Sequence, residues 1–224
     1  MKRFIIAVTG LMLCARAFAF DVSVGASFSG GFFFNQMSSS NSGLAVSSAL
    51  RNTAFPFHAE AYLDMHYVQV GVGYRLSLGG HQWETVTSSG TTTTAIDGDT
   101  GTKGYAAFSA YLKYPFTVGP YQLLPLLGFE YDVNLLDLDS NGHDLRGSMS
   151  SQALDNENQF WVKAGMAAEL ALAERVYLRA QFLIGWKFLS PAETSAVENA
   201  KSAGFDATLF SLRPELGIAL GFKI

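Results

Sequence analysis

The sequence predicts an all-β fold: an eight-stranded antiparallel up-and-down transmembrane β-barrel with short periplasmic turns and long extracellular loops. Three observations point there. Eight segments alternate apolar and polar residues, the links between them alternate long and short, and a secretory signal is followed by no apolar run long enough for a spanning helix.

The chain opens with Lys2 and Arg3, an apolar stretch over residues 4–13 and the A-x-A cleavage site Ala17-Phe18-Ala19. This is the pattern of a signal peptide, residues 1–19, too short to cross a bilayer as a helix. Residues 20–224 form a single domain with no linker-like boundary. Leu11 to Cys14 loosely matches a lipidation box, but Leu13 is bulky where a small residue is needed, so cleavage rather than acylation of Cys14 is expected. Cys14 is the one cysteine, and its removal leaves the mature chain without thiols or disulfides. Losing Lys2, Arg3 and Arg16 from 15 basic residues leaves 12 against 19 acidic ones, a formal charge of −7. That balance excludes nucleic acid as a partner class.

The strands follow in order. Residues 22–34 set Val22, Val24, Ala26, Phe28 and Phe32 opposite Ser23, Gly25, Ser27 and Ser29. Residues 55–64 set Phe55, Phe57, Ala59, Ala61 and Leu63 opposite His58, Glu60 and Tyr62. From Tyr67, Val68, Val70, Val72, Tyr74, Leu76 and Leu78 oppose Gln69, Gly71, Gly73, Arg75 and Ser77. Residues 105–114 place Phe108, Ala110, Leu112 and Tyr114 against Ser109, Tyr111 and Lys113. Residues 121–134 place Leu123, Leu127, Phe129, Tyr131 and Val133 against Gln122, Gly128, Glu130 and Asp132, with Leu124 and Leu126 as exceptions.

From Gln159, Phe160, Val162, Ala164, Met166 and Leu170 oppose Trp161, Lys163, Gly165 and Glu169. From Val176, Leu178, Ala180, Phe182, Ile184, Trp186 and Phe188 oppose Arg179, Gln181, Gly185 and Lys187. The last strand, 208–224, runs Phe210, Leu212, Pro214, Leu216, Ile218, Leu220, Phe222 and Ile224 against Ser211, Arg213, Glu215 and Lys223. A period of two with one greasy face is a half-buried strand, and several of these segments reach the roughly nine to eleven residues of a tilted bilayer span.

Long links are expected at about residues 35–54, 79–104, 135–158 and 189–207, and short ones at 65–66, 116–120 and 173–175. Aromatic residues gather near the strand ends as interfacial girdles. On these features the chain resembles the small eight-stranded outer-membrane proteins of the OmpA, OmpX, OmpW and opacity-protein group, over the whole mature chain. The resemblance implies a monomer in the bacterial outer membrane, with both mature termini periplasmic and loops at the cell surface. Its expected partners are outer-membrane lipids, the barrel assembly machinery and a host or environmental ligand at the loops. Members usually end in an aromatic residue that helps the assembly machinery recognise the last strand; this chain ends in Ile224, with Phe222 on the same face.

Eight strands enclose a bore that side chains fill. The inward set holds Glu60, Glu130, Asp132, Glu169 and Glu215 against Arg75, Lys113, Lys163, Arg179, Lys187 and Arg213, and so narrow a space demands that they pair. A Glu169–Arg179 pair is expected across one hairpin, with Arg213 and Glu215 extending the network; the reading is a structural plug rather than an ion path. No catalytic residues and no resident cofactor are expected. One calcium candidate is Asp137, Asp139 and Asn141 with Gly142, matching the first half of the D-x-[DN]-x-[DN]-G loop, with Asp144 replacing the missing Glu. Asp97-Gly98-Asp99 is a weaker version, and the Ser/Thr/Gly tract 87–94 reads as a hydrated surface segment.

Small barrels include lipid-modifying enzymes, but His58, His66, His81 and His143 are scattered and make no compact Ser–His pattern. Pro125 and Pro214, on the lipid-facing register, are expected to mark a bulge or kink. In OmpW-like proteins such a kink opens a lateral path for small hydrophobic molecules, which makes that passage the alternative function.

Overall fold

The computed structural model describes residues 22–88, 90–99 and 101–224. The signal segment, Cys14 and the side chains of residues 96–100 lie outside the described residues. The chain forms β1 (Val22–Gly31), β2 (Phe33–Asn41), β3 (Val46–Met65), β4 (Val68–Ser88), β5 (Thr91–Asp99), β6 (Thr102–Lys113), β7 (Phe116–Val118) and β8 (Tyr121–Leu138). A short 3-10 turn and helix α1 (Ser151–Glu157) then lead to β9 (Gln159–Ala171), β10 (Val176–Phe188), helix α2 (Pro191–Ser202) and β11 (Asp206–Lys223). Among the described residues, no helix is long and apolar enough to cross a membrane.

These eleven strands make eight staves. β1 and β2 keep one register against both β3 and β11, so they are a single strand interrupted at Phe32. β5, β6 and β7 likewise run on from one another, along β4 at the upper end and β8 at the lower. All pairings are antiparallel, and β1 joins β11 from Ser23↔Lys223 to Gly31↔Glu215, which closes the ring. Following paired residues once round takes Leu124 through Ala167, Gln181, Gly217, Ser29, His58, Arg75 and Tyr105 to Asn134, ten residues further along β8. Ten residues at about 3.3 Å set against eight strand spacings of about 4.8 Å give a strand tilt near 40°, as membrane barrels require.

The period of two now has its physical reading. Val72, Phe28, Leu112, Phe129, Leu216, Ile218 and Leu220 project outward and are exposed, while Glu130, Asp132, Lys163 and Arg179 project inward and are fully buried. An exposed apolar belt around a charged interior inverts the arrangement of a soluble barrel, and lipid is the solvent that satisfies it. Leu124 and Leu126 are not register errors: they face the bore and pack with Tyr111, Ala167 and Leu183.

Three expectations need correction. The links expected at 35–54 and 79–104 are not loops but strand extensions: β2 pairs β3 up to a tight turn at residues 42–45, and β4 pairs β5 up to Gly90. The 87–94 tract lies within that second hairpin, where the Thr87 and Thr92 hydroxyls hydrogen-bond at 3.1 Å. Thr suits a pleated ladder, and above the bilayer neither face must be apolar, so the greasy alternation stops while the strand continues. The two remaining links, 139–158 and 189–205, do leave the sheet and carry α1 and α2.

The prolines, third, mark no bulge: the register is the same on either side of each, and the irregularity lies in the strand opposite. Pro214 accepts from Phe32 N–H at 3.1 Å and Pro125 from Tyr114 N–H at 3.3 Å. Each thus keeps one half of a two-bond pair, and the missing half shows as a break in the opposite strand, at Phe32 and at residues 114–115. The bulges fall elsewhere, at Asn52/Ala54, His81/Gln82 and Gly104/Tyr105.

At the seam the inward Tyr62 lies over Gly25 and Tyr177 over Gly221, space that a Cβ at either glycine would occupy. The Gly221→Val variant is therefore expected to lose about 1–3 kcal/mol through overpacking, read by urea unfolding in lipid vesicles. Unchanged stability would show that the tyrosines do not fill the seam.

Candidate functional site

The bore is filled by two charge clusters built from the alternating inward positions of the staves. In the upper one, three cations (Arg75, Lys163 and Arg213) meet three anions (Glu130, Asp132 and Glu215). Arg75 donates to Asp132 Oδ2 at 2.7 Å and to Glu130 Oε2 at 2.9 Å. Lys163 Nζ donates to Glu130 at 2.8 Å and to Glu215 at 2.9 Å. Arg213 completes the set on Asp132 at 2.9 Å and on Glu130, and its guanidinium lies 3.9 Å over the Trp161 ring. Burying these ions is costly unless each is paired. Every one of the six has a hydrogen-bonded partner of opposite charge, although Arg75 Nε, Asp132 Oδ1 and Arg213 Nε are left without a hydrogen bond.

Beside this cluster sit His58 and Glu60. Ser109 Oγ donates to Glu60 at 2.7 Å, and Arg75 donates to His58 Nδ1 at 3.2 Å. Ligand atoms of His58, Glu60 and Glu130 lie within 4.8 Å of one another, a spacing suited to a metal ion. Yet Arg75 and Lys163 already supply positive charge to Glu130, so the chemistry of the cluster does not call for a cation.

The lower cluster centres on Arg179, which donates to Glu169 at 2.8 Å across the β9–β10 hairpin and also to Asp64 and Gln69. Lys113 pairs with Asp64. The Tyr62 and Tyr177 rings flank the guanidinium, and their hydroxyls meet at 3.2 Å, with Ser23 on Tyr177 at 3.0 Å. Along β6 and β9 the two clusters are separated by apolar side chains, Tyr111 between Ser109 and Lys113 and Ala167 between Lys163 and Glu169. Between them the clusters draw on all eight staves.

Ten of the eleven charges expected in the lumen are therefore inside, divided between two clusters: Glu60, Arg75, Glu130, Asp132, Lys163, Arg213 and Glu215 above, Lys113, Glu169 and Arg179 below. Sequence reasoning put Gln69 on the inner face without a partner and missed Asp64 and Tyr177, which stand at the lower ends of their strands where the alternation is hardest to phase. Lys187 faces upward instead, on Glu193 of α2 at 2.7 Å.

The calcium candidate does not assemble. Asp137 turns inward and pairs with Lys103 at 3.2 Å. Asp139 accepts from the N–H groups of Asn141 (2.8 Å) and His143 (2.9 Å), Asp144 accepts from Arg146 N–H at 3.0 Å, and Asn141 is exposed. Donation from His143 and Asn141 holds the Asp139 carboxyl below its ordinary range, so this cap is present at neutral pH and lost only as pH falls well into acid. Three carboxylates capping or pairing locally have no common focus.

Above the upper cluster the bore opens into a vestibule of about 440 Å³. Its floor and walls include Phe33, Asn52, Lys103, Tyr105 and Gln159, and residues from the end of α1 and the start of α2 form its rim. α2 is held there by a capping box, with Ser190 accepting from Glu193 N–H and Glu193 accepting from Ser190 N–H at 2.8 Å.

Neither a known family profile nor a curated protein matches the chain. Among solved structures it is similar to Neisserial surface protein A, with 14% identity over 89% of this chain and 99% of that one and a TM-score of 0.40. It is also similar to the outer-membrane protease OmpT from Escherichia coli (8% identity, 92% and 98% covered, TM-score 0.35). A third is Ail, the attachment invasion locus protein of Yersinia pestis, seen with the heparin analogue sucrose octasulfate (8% identity, 91% and 99% covered, TM-score 0.32). At such identities no residue role passes from them to this chain.

Replacing Glu130 by Ala removes the anion shared by three buried cations, leaving Arg75 and Arg213 on Asp132 and Lys163 on Glu215, and is expected to cost about 3–5 kcal/mol in urea unfolding from vesicles. A loss below about 1 kcal/mol would mean that water, not the ion network, fills the bore.

Proposed function

We propose that this protein is a monomeric barrel of the bacterial outer membrane with a sealed bore, its mature termini in the periplasm and its long-loop end at the cell surface. Its work is then binding at that surface: adhesion, contact with host or environmental components, or stabilisation of the membrane. The observation that carries this reading is the plug. Arg75, Glu130, Asp132, Lys163, Arg179 and Arg213 are each at most 2% exposed, and this filling of the bore by paired ions supports a sealed interior. A charge moving through would have to displace ions that are already paired and buried.

The alternative, lateral passage of small hydrophobic molecules, needs an opening in the wall near the prolines. The strands opposite Pro125 and Pro214 are interrupted at residues 114–115 and at Phe32, but the register resumes unchanged on both sides, which supports a closed wall. No catalytic step belongs to the reading: His58 is committed to the plug, His66 follows β3 in the turn and His143 rests on Asp139.

In planar bilayers the purified barrel should give no steady single-channel conductance; stable unitary steps would overturn the sealed-bore reading. Whole cells displaying the protein should lose most of their ligand or host-cell binding when residues 140–156 and the tip of the β4–β5 hairpin are trimmed. Binding that survives both deletions would place the function outside the loops.

A further inference from the structure

The vestibule is more specific than a generic surface. Its size falls within the roughly 300–1,000 Å³ of small-molecule sites, enough for about one or two sugar rings. Five side-chain amides line it: Asn35, Asn52, Gln82, Asn156 and Gln159. Phe33 and Tyr105 add aromatic surface, and Phe33 is braced edge-on by Trp161 at a centroid separation of 5.9 Å.

The charges facing the cavity are already matched. Lys103 is paired with Glu157 and with Asp137 at 3.2 Å, and Lys187 with Glu193 at 2.7 Å. An anionic ligand would have to displace a carboxylate from its lysine, and a cationic one would have to displace a lysine. The amides are a different matter. Asn35 and Asn52 face each other across β2 and β3, and the Oδ1 atom of each is buried without a hydrogen-bond donor. Buried acceptors of this kind normally find a partner. Gln159 shows the opposite condition: it donates to the Tyr105 hydroxyl at 3.0 Å and accepts from Trp161 Nε1 at 3.1 Å, which locks its amide plane and the ring beside it.

We propose that the vestibule binds an uncharged carbohydrate, as one or two sugar rings seated between the Asn35–Asn52 pair and the Phe33 and Tyr105 rings. Amides offer a donor and an acceptor side by side, which matches vicinal hydroxyls. Aromatic surface takes the apolar C–H face of a pyranose, and a self-neutralised set of charges selects against sulfated or phosphorylated sugars. The assignment rests on the surface-binding reading and narrows it to one chemical class and one pocket.

The test uses the whole mature barrel, refolded in a zwitterionic detergent because a maltoside headgroup would itself compete. Glucose, galactose, N-acetylglucosamine and lactose are titrated by calorimetry and by tryptophan fluorescence, with a sulfated heparin disaccharide and inorganic phosphate as charged comparators. Saturable millimolar binding of at least one neutral sugar is expected. Asn52→Leu and, independently, Gln82→Leu should weaken it about tenfold or more, the scale of a lost polar contact in a closed site. Ser48→Ala, outside the vestibule, should leave it unchanged. Unboiled gel mobility reports whether each variant has folded, and two variants guard against one that has not.

Absence of neutral-sugar binding by the folded wild type overturns the assignment. So does neutral binding that is indifferent to both substitutions, or tighter binding of the sulfated disaccharide. Failure here with loop-dependent whole-cell binding intact removes only the carbohydrate assignment. Steady conductance in bilayers removes the sealed-bore reading by a separate measurement.

Discussion

Everything in this molecule follows from the seam where the first and last staves meet. In a bilayer no water is present to satisfy an open strand edge, so the sheet must close on itself. Here β1 lies on β11 from Ser23↔Lys223 upward, β2 continues along it to Ser40↔Asp206, and Ile224 N–H reaches Val22 O at 2.9 Å. Closure with eight staves and a ten-residue stagger sets the bore. The bore in turn dictates that charges pointing inward touch one another.

That constraint explains the layering of the interior. Charges could not be left singly in such a space, so they gather as two compensated groups, with Tyr111, Leu124, Leu126, Ala167 and Leu183 forming an apolar patch on one wall. Glu130 is the hub of the upper group because it accepts from cations on β4, β9 and β11. The same groups also tie distant staves together, since Arg75–Glu130 and Arg179–Asp64 bridge residues far apart in the chain. A buried network of this sort is weak evidence of net stability.

Above the plug the rules change. Once the strands leave the lipid, their outer faces need not be apolar, and β2 to β5 continue upward on Ser and Thr ladders while α1 and α2 lean over the bore. The vestibule of about 440 Å³ lies there, between a floor of paired ions and a rim of helix ends. The side chains it offers are amides, aromatic rings and already-paired ions.

Much of this was legible in the chain. The alternation in residues 159–172 and 176–188 identifies the lipid face directly, because lipid demands an unbroken greasy register. The inward location of Arg75, Glu130, Lys163, Arg213 and Glu215 follows from the same period. Which of them touch was not legible beyond the hairpin pair Glu169–Arg179, since Arg179–Asp64 and Lys163–Glu215 depend on the stagger of the whole ring. The 87–94 tract hid its strand because water imposes no pattern on Thr, and the half-calcium motif misled because short acidic sequences serve equally as caps. The sequence by itself determined an eight-stave membrane barrel and the face each residue takes, for those rest on local period and on the solvent. Only the tertiary structure decided the pairing inside and the vestibule above, because both are made where staves distant in sequence converge.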